Sequence, residues 1–168
     1  MPSYLITGNS GSGKSSVIEA LRRRGYTAYN TDDLPATRLE DMSGRAVDWP
    51  PKPIDWSKYA WNWQGEELKK LLASDETVFV GAIVSNQAQF YDLFDKIFVL
   101  TATPATVRRR LLNRTNNDFG KHPDELKGIL AYHVHLQKKL LRIPTAVTID
   151  ANRPLDTVVD DIVAAIST

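Results

Sequence analysis

Residues 4–26 read YLITGNSGSGKSSVIEALRRRGY, and this stretch changes character twice. It begins with a short apolar run that stops at Gly8, as expected of a buried strand. It ends with apolar residues at Val17, Ile18 and Leu21, a spacing that is typical of one face of a helix. A turn rich in glycine and serine joins the two. A strand, such a turn and a helix in this order predict an anion-binding site at the start of the helix.

The turn fits the pattern G-x-x-x-x-G-K-[ST], with Gly8, Gly13, Lys14 and Ser15 in the fixed positions. Glycines allow successive backbone N–H groups to point inward at phosphate oxygens, and the positive end of the helix dipole adds to the attraction. Lys14 can reach the β- and γ-phosphates, and the Ser15 hydroxyl can bind Mg²⁺. We therefore predict ATP and Mg²⁺ as ligands. The predicted loop contacts are Gly8, Asn9, Ser10, Gly11, Ser12, Gly13, Lys14, Ser15 and Ser16.

Two other interpretations of this turn are a flexible connection and a dinucleotide-binding loop. A dinucleotide-binding loop needs a third glycine where this chain has Ser16, so the pattern disfavours it.

Strands alternate with helices along the rest of the chain. The predicted strands are 3–8, 27–32, 77–84, 96–102 and 145–150, and the predicted helices are 14–25, a helix from about 104, and 154–166. This alternation indicates an α/β fold in which a five-stranded parallel sheet has helices on both faces. Ligands of such sheets bind beside the carboxyl ends of the strands, so the informative residues should follow each strand.

The composition limits the classes of function. The chain has 168 residues, which predicts one domain over 1–168, and its net charge of +1 argues against binding of duplex nucleic acid. It has no cysteine, which excludes disulfides and thiolate catalysis. No apolar run approaches the length of a membrane span, and no signal-like segment is visible, so a cytoplasmic protein without membrane contact is expected.

Acidic residues follow the second predicted strand. Asp32 there can hold Mg²⁺ through water and can accept a proton from an attacking hydroxyl, so we predict both a catalytic and a metal-binding role for it. The alternative is that Asp32 or Asp33 caps a helix starting near Leu34. No carboxylate ends the third strand, which argues against a motor or transporter ATPase. Gly81 and Asn86, after that strand, are weaker candidates for ligand contacts or a helix cap.

Arginines follow the fourth and fifth strands. Arg110 and Arg114 are four residues apart and share a helix face, where guanidinium groups can bind phosphate; the alternative is a solvated face. We predict Arg114 as a catalytic residue that stabilises the transferred phosphoryl group, and Arg110 and Arg153 as nucleotide contacts.

Two segments interrupt the alternation of strands and helices. Residues 34–63 are rich in proline and tryptophan, and residues 115–127 are polar. We predict an acceptor-binding insert at about 34–63 and a lid at about 115–127, because long irregular segments in compact domains often contact substrates. Of the four tryptophans in the insert, two are expected in the core, and an aromatic wall for the acceptor is the other interpretation. The three histidines show no metal-binding spacing and are expected to be structural or exposed.

The motifs GNSGSGKS, NTDD, GAIVSNQ, RLLNRT and DANRPLD together resemble the small P-loop kinases of the shikimate kinase, gluconate kinase and adenylate kinase group. The resemblance implies a three-layer P-loop NTPase fold, an acceptor region, a kinase-type lid and ATP–Mg²⁺ chemistry. It also implies that Arg110 and Arg114 are lid arginines, one near adenine and one near the phosphates. Shikimate kinase-like proteins end strand two with Asp-x-Asp, whereas this chain has Asn30-Thr31-Asp32. The residues that hold shikimate are not evident, so the acceptor is not identified.

The sequence thus predicts an ATP-dependent kinase that transfers the γ-phosphoryl group to a hydroxyl or phosphate of a small-molecule acceptor. The alternative is a regulatory P-loop ATPase with little transfer activity, because the first Asp of the strand-two pair is missing. The expected partners are ATP and the acceptor, and the expected assembly is a monomer or weak dimer.

Overall fold

The computed structural model describes residues 1–168 and contains seven strands. In chain order they are β1 (Ser3–Thr7), β2 (Thr27–Asn30), β3 (Thr37–Asp41), β4 (Tyr59–Trp63), β5 (Val78–Gly81), β6 (Lys96–Thr101) and β7 (Ala146–Asp150). Five of them form one parallel sheet in the order β2-β5-β1-β6-β7. β3 and β4 pair antiparallel as a separate hairpin. The predicted five-stranded parallel sheet is confirmed.

Five α-helices connect and cover the strands. They are α1 (Lys14–Arg23), α2 (Gly65–Leu72), α3 (Pro104–Asn113), α4 (Pro123–Leu141) and α5 (Leu155–Ile166). Short 3-10 helices cover Thr31–Asp33 and Gln87–Leu93. α1 and α5 pack on one face of the sheet, while α4 and the residues of α2 and β4 pack on the other. This is the predicted three-layer arrangement.

Alternation along β1 explains why the sheet needs cover on both faces. Tyr4 and Ile6 belong to the core under α1 and α5, whereas Leu5, between them, belongs to the core on the opposite face. Successive side chains of a strand point to opposite faces, so an apolar strand buries residues in two layers at once. β1 lies at the centre, between β5 and β6, which places the end of β1 in the middle of the ligand-binding edge.

Several predicted boundaries differ from the structure. The second strand ends at Asn30 and the third at Gly81, earlier than predicted, because short 3-10 helices or turns follow each. No helix begins near Leu34; Asn30 caps the 3-10 helix by accepting a hydrogen bond from the Asp32 N–H, and β3 follows. The cap interpretation of Asp32 and Asp33 is therefore wrong.

The two segments that interrupt the pattern are more ordered than their composition suggests. The insert 34–63 contains both strands of the hairpin, and the predicted lid 115–127 ends inside α4, which begins at Pro123. Sequence patterning missed α2, α4 and the hairpin. None of the helices combines the length and apolar character that crossing a bilayer requires.

Candidate active site

The carboxyl ends of the five parallel strands meet at one edge of the sheet, and a single large cleft of about 1110 Å³ opens there. The cleft is lined by residues from the glycine-rich turn, the end of β2, the insert, the end of α3 and the start of α5. Eleven of the thirteen predicted site residues line it: Ser10, Gly11, Ser12, Gly13, Lys14, Ser15, Ser16, Asp32, Arg110, Arg114 and Arg153. Gly8 and Asn9 lie behind them, in contact with Lys14.

The phosphate loop, residues 8–15, has the backbone that the motif requires. Gly11 and Gly13 have φ angles of 82° and 100°, in the left-handed region that side chains disfavour. At Gly11 a Cβ would also lie 3.0 Å from the Leu111 side chain and the Val107 carbonyl oxygen of α3. Glycine is therefore needed there both for the turn and for the close approach of α3.

The amino-terminal end of α1 is prepared for an anion. No side chain caps its first N–H groups, and its first turn has no acidic residue. The Ser12 hydroxyl is buried in the loop, beside Gly8, without a hydrogen-bond partner. Helix N–H groups usually have partners, so the uncapped donors at the start of α1 fit a phosphate that supplies the missing acceptors.

Lys14 folds back over the loop. Its Nζ donates to the carbonyl oxygens of Gly8, at 2.8 Å, and Asn9, at 3.0 Å. Burial lowers the pKa of Lys14 to about 8, the charge of Asp32 opposes this change, and the charge of Arg114 reinforces it. Lys14, Asp32 and Arg114 are therefore electrostatic neighbours, and phosphate oxygens would favour the charged ammonium.

Asn30 supports Ser15 from the end of β2. Its Nδ2 donates to the Ser15 hydroxyl oxygen at 2.9 Å, and its Oδ1 accepts from the Asp32 N–H at 3.4 Å. The asparagine thus connects the two residues predicted to be near the metal. No cluster of three or more acidic, histidine or cysteine side chains suitable for a metal ion is present. A Mg²⁺ ion at Ser15 would therefore need phosphate oxygens and water as its other ligands, which is its usual preference.

Asp32 lies at the boundary between the phosphate loop and the insert. Its Oδ1 accepts a hydrogen bond of 2.9 Å from the indole N–H of Trp61 on β4. The second carboxylate oxygen makes no hydrogen bond to the protein, and the residue lines the cleft. The indole thereby orients a carboxylate that is free to accept a proton from a bound hydroxyl.

The three predicted arginines bond to main-chain oxygens around the cleft. Arg110 Nη1 donates to the Ser12 carbonyl oxygen at 3.0 Å and Nη2 to that of Ala151, which ties the phosphate loop to the end of β7. Arg114 Nε donates to the Asn117 carbonyl oxygen at 3.1 Å, and Nη2 donates to that of Phe119. Burial lowers the pKa of Arg114, while the charges of Asp32 and Asp118 oppose this change.

Arg153 lies at the far end of the cleft. Its Nε donates to the Asp150 carbonyl oxygen at 3.0 Å, and its guanidinium pairs with Asp161 of α5. These bonds hold the guanidinium plane in place beside the cleft.

Two tryptophans of the insert pack against the core, as expected: Trp63 lies within it and the half-buried Trp61 packs on it. Only Trp63 is buried, at 2% exposure, and its indole N–H donates to the Thr31 hydroxyl. Trp49, Trp56 and Trp61 line the cleft, together with Phe119 from the predicted lid. Phe119 was not among the sequence candidates, because a single aromatic residue in a polar segment carries no recognisable pattern.

Gly81 and Asn86 support the fold and do not line the cleft. A Cβ at Gly81 would lie 2.6 Å from the Ile18 side chain, so this glycine allows α1 to approach the sheet. Asn86 bonds to both main-chain groups of Trp63, at 2.9 Å and 3.0 Å, and holds the hairpin against the sheet. Of the two interpretations, these contacts favour a supporting role, and Asn86 stands at the cap position of the 3-10 helix Gln87–Leu93.

His133 is the histidine that contacts the phosphate loop. It is buried on α4, where its Nε2 lies 2.6 Å from the Ala102 carbonyl oxygen and its Nδ1 lies 3.0 Å from Asn9 Nδ2. Since a carbonyl only accepts, Nε2 carries the proton and Nδ1 accepts from Asn9. Asn9 Oδ1 in turn accepts from the Ser10 N–H at 2.8 Å, so α4 helps to shape the phosphate loop.

A comparison with protein families matches residues 5–129 to the model described as the AAA domain. The chain belongs to the AAA domain family. Within it, the chain has the fold of the small P-loop kinases, as the solved structures similar to it indicate. No curated protein sequence matches the chain.

Three of those structures cover this AAA domain chain almost completely. A gluconokinase from Sinorhizobium meliloti is 21% identical with a TM-score of 0.65, over 99% of this chain and 91% of that chain. A shikimate kinase from Bacteroides thetaiotaomicron is 13% identical with a TM-score of 0.61, over 99% of both chains. The deoxyadenosine kinase from M. mycoides with bound dATP is 13% identical with a TM-score of 0.59, over 99% of this chain and 100% of that chain. At these identities the likeness establishes the fold.

Proposed function

We propose that the protein is an ATP-dependent kinase that transfers the γ-phosphoryl group to a small-molecule acceptor. The observation that carries the proposal is the position of Asp32, which lies in the same cleft as the phosphate loop and close enough to Lys14 to influence its pKa. A protein that only bound ATP would not need an oriented carboxylate beside the terminal phosphates. The kinase folds of the similar structures support the same reaction class.

The residues divide the work as follows. The phosphate loop N–H groups and Lys14 bind the phosphates, Arg114 stabilises the transferred group, and Arg110 and Arg153 border the nucleotide. Ser15, supported by Asn30, and Asp32 through water would hold Mg²⁺, which when bound neutralises charge on the phosphate oxygens. Asp32 accepts the proton of the acceptor hydroxyl.

We propose the insert 34–63 as the acceptor-binding region and 115–127 as the lid. Two contacts join them: Trp56 packs edge-to-face on Phe119, with ring centroids 6.1 Å apart, and Lys52 lies 3.5 Å from the buried carboxylate of Glu125. Because the segments touch each other above the cleft, closure of one moves the other, which would exclude water from the reacting groups.

The test combines ATP binding with a transfer assay. Titration calorimetry with Mg²⁺–ATP should show binding, and γ-labelled ATP should pass label to at least one alcohol in a panel of sugars, nucleosides and cofactor precursors. Asp32→Asn should lower kcat by about 10²–10⁴-fold and leave the Kd of ATP measured without Mg²⁺ unchanged, because general-base catalysis is lost and phosphate binding by the loop is not.

The matched control is Asp75→Asn, which changes an exposed carboxylate outside the cleft and should leave kcat unchanged. Absence of ATP binding, or full transfer activity in Asp32→Asn, would contradict the proposal. Slow hydrolysis without transfer to any compound would instead favour the regulatory ATPase.

A further inference from the structure

The acceptor end of the cleft presents a continuous aromatic surface. Trp49 and Trp61 have ring centroids 5.2 Å apart, Trp49 and Trp56 6.3 Å, and Trp56 and Phe119 6.1 Å. We call these four rings the aromatic surface. Trp49 is 57% exposed and Trp56 is 39% exposed, although each lies in a concave region. Large exposed apolar side chains gathered in a cleft are characteristic of a binding site, because a ligand can remove their surface from water.

The rings hold each other in a way that leaves faces open. Trp49–Trp56 and Trp56–Phe119 meet at interplanar angles of 80° and 87°. An edge-to-face contact covers at most one face of one ring in each pair, and it stabilises the arrangement before any ligand arrives. The open indole faces are suited to the flat or polarised apolar part of a ligand rather than to a strongly hydrated group.

The aromatic surface connects directly to the reacting end of the cleft. Trp61 belongs to the surface and its indole N–H donates to Asp32 Oδ1 at 2.9 Å. A ligand that packs on the rings therefore has its hydroxyl close to the second oxygen of Asp32. The geometry suits a molecule with an aromatic body and a hydroxyl at one end.

Charge distinguishes this end of the cleft from the phosphate end. Six cationic side chains line the cleft, namely Lys14, Arg22, Lys52, Arg110, Arg114 and Arg153. Five of them come from outside the insert and the lid, and each of those five donates to a main-chain carbonyl oxygen. Only Lys52 lies in the insert.

Lys52 forms an ion pair with Glu125, with 3.5 Å between Nζ and Oε1. It is the one cation within ion-pair distance of Glu125, whose side chain is 2% exposed and whose two oxygens have no hydrogen bond. Separating the pair would leave a buried carboxylate uncompensated, which is costly. The other cation near the aromatic surface is Arg114, which donates to the Phe119 carbonyl oxygen and which we assign to the transferred phosphoryl group. An anionic group on the acceptor would therefore compete with that phosphoryl group for Arg114, and it would face the carboxylates of Asp32 and Asp118.

We propose that the acceptor is an uncharged or cationic compound with an aromatic ring and an alcohol, such as a nucleoside, and not a phosphorylated or carboxylate-bearing one. This inference rests on the proposed kinase function and narrows its acceptor. The hydroxyl oxygen forms a bond to the γ-phosphorus while the bond from that phosphorus to the β,γ-bridging oxygen breaks. The bond's electron pair stays on ADP, and the hydroxyl proton passes to Asp32.

The experiment uses matched pairs that differ in charge. Adenosine, deoxycytidine and thymidine are each compared with their 5′-monophosphates, and pyridoxine with 4-pyridoxic acid, on the full chain with Mg²⁺ and a non-hydrolysable ATP analogue. Titration calorimetry and quenching of tryptophan fluorescence measure binding. At least one neutral member should bind and its anionic counterpart should not. Tighter binding of the anionic members, or no binding by any neutral member, would overturn the inference.

Variants of the exposed rings supply the second readout. Trp49→Ala and Trp56→Ala should each raise the acceptor KM by about tenfold, the effect of losing one stacking partner, with the Kd of ATP unchanged. Tyr132→Ala, which removes an aromatic residue 50% exposed on α4 and outside the cleft, is the control and should change neither value. An unchanged acceptor KM in both tryptophan variants would also overturn the inference.

The outcomes separate the two proposals. Transfer of phosphate to gluconate, shikimate or a nucleoside monophosphate in preference to the neutral compounds would contradict this inference and leave the kinase proposal intact. Failure of the ATP analogue to bind would contradict the kinase proposal itself, and this inference with it.

Discussion

The two halves of the cleft are built in opposite ways. The phosphate loop comes from one continuous stretch, residues 8–15, whose bonds are mostly between near neighbours, such as Lys14 with Gly8 and Asn9. The aromatic surface takes its rings from positions 49, 56, 61 and 119, on a hairpin and a loop that are far apart in the chain. The first half is a local backbone structure, and the second exists only after the chain has folded.

This difference explains why the phosphate loop can be predicted from the sequence and the aromatic surface cannot. A phosphate needs N–H donors and a cation in a fixed order, and that order is imposed by the covalent chain. An aromatic site needs rings at the right distance, and many sequences can provide them. Motifs therefore identify the nucleotide of such a protein far more readily than its acceptor.

The largest effect is expected for Lys14→Met, which should impair the phosphate loop and leave acceptor binding at the aromatic surface unchanged. We expect kcat/KM to fall by about 10²–10³-fold, because a positioned charge at the transferred phosphate is lost. Binding of a neutral acceptor, followed by tryptophan fluorescence, should be unchanged. Lys69→Met, at an exposed position of α2, is the control. Equal loss of acceptor binding would show that the two halves are not independent.

The same variant has an effect on stability whose sign follows from the pKa. Burial lowers the pKa of Lys14 from 10.5 to about 8, so the folded chain holds this proton less tightly than the unfolded chain. Stability of the wild type should rise between pH 8 and pH 10.5, and the full cost of the buried charge is present below pH 8.

At pH 7, the free energy of unfolding of Lys14→Met should therefore exceed that of the wild type by up to roughly 3 kcal/mol, reduced by the contribution of the two hydrogen bonds that the variant loses. The variant should accordingly unfold at a higher temperature. This difference in stability between the variant and the wild type should become smaller as the pH rises to 10.5. Thermal unfolding at both pH values measures it. A gap that does not vary with pH would mean that the ammonium is not desolvated.

Asn30→Ala tests a tertiary contribution to the phosphate loop, because Asn30 donates a hydrogen bond from the end of β2 to Ser15. Loss of its hydrogen bond to Ser15 should raise the Mg²⁺ concentration needed for half-maximal activity by about tenfold, as removal of a residue that supports a metal ligand commonly does. The acceptor KM should stay the same. Activity is measured over a Mg²⁺ titration, with Gln89→Ala, an exposed amide outside the cleft, as control. An unaltered Mg²⁺ requirement would remove the supporting role of Asn30.

The smallest effect is expected for a variant that tests whether the conformation of the phosphate loop depends on α4. His133→Phe keeps a buried ring on α4 but cannot accept the hydrogen bond from Asn9. We expect a loss of about 1–3 kcal/mol in the free energy of unfolding, the cost of leaving buried polar groups unpaired, together with weaker ATP binding. Urea unfolding and calorimetry measure the two quantities.

The control is His135→Phe, an exposed histidine two residues further along the same helix. If His133→Phe loses stability but binds ATP as tightly as the wild type, then α4 supports the core without shaping the loop.

Sequence patterning predicted the parts of the fold that depend on local order. The five parallel strands, the helix after the phosphate loop and the helices beginning at Pro104 and Leu155 were all predicted, because their apolar periodicity and start signals are local. The hairpin was missed because the insert that contains it is rich in proline and tryptophan, and α2 and α4 were missed as well. The sequence left the roles of Gly81 and Asn86 open between ligand contact and a helix cap, because proximity to a strand end does not show which way a group faces.

The sequence by itself determined the sheet, the phosphate loop and the presence of Asp32 at its edge, since those features follow from the order of residues along a continuous backbone. Only the tertiary structure decided that Trp61 orients Asp32, that Asn30 supports Ser15 and that Lys52 is tied to Glu125. These contacts join side chains separated by many residues. Their distances are fixed by how the layers pack, and no local pattern in the chain encodes that packing.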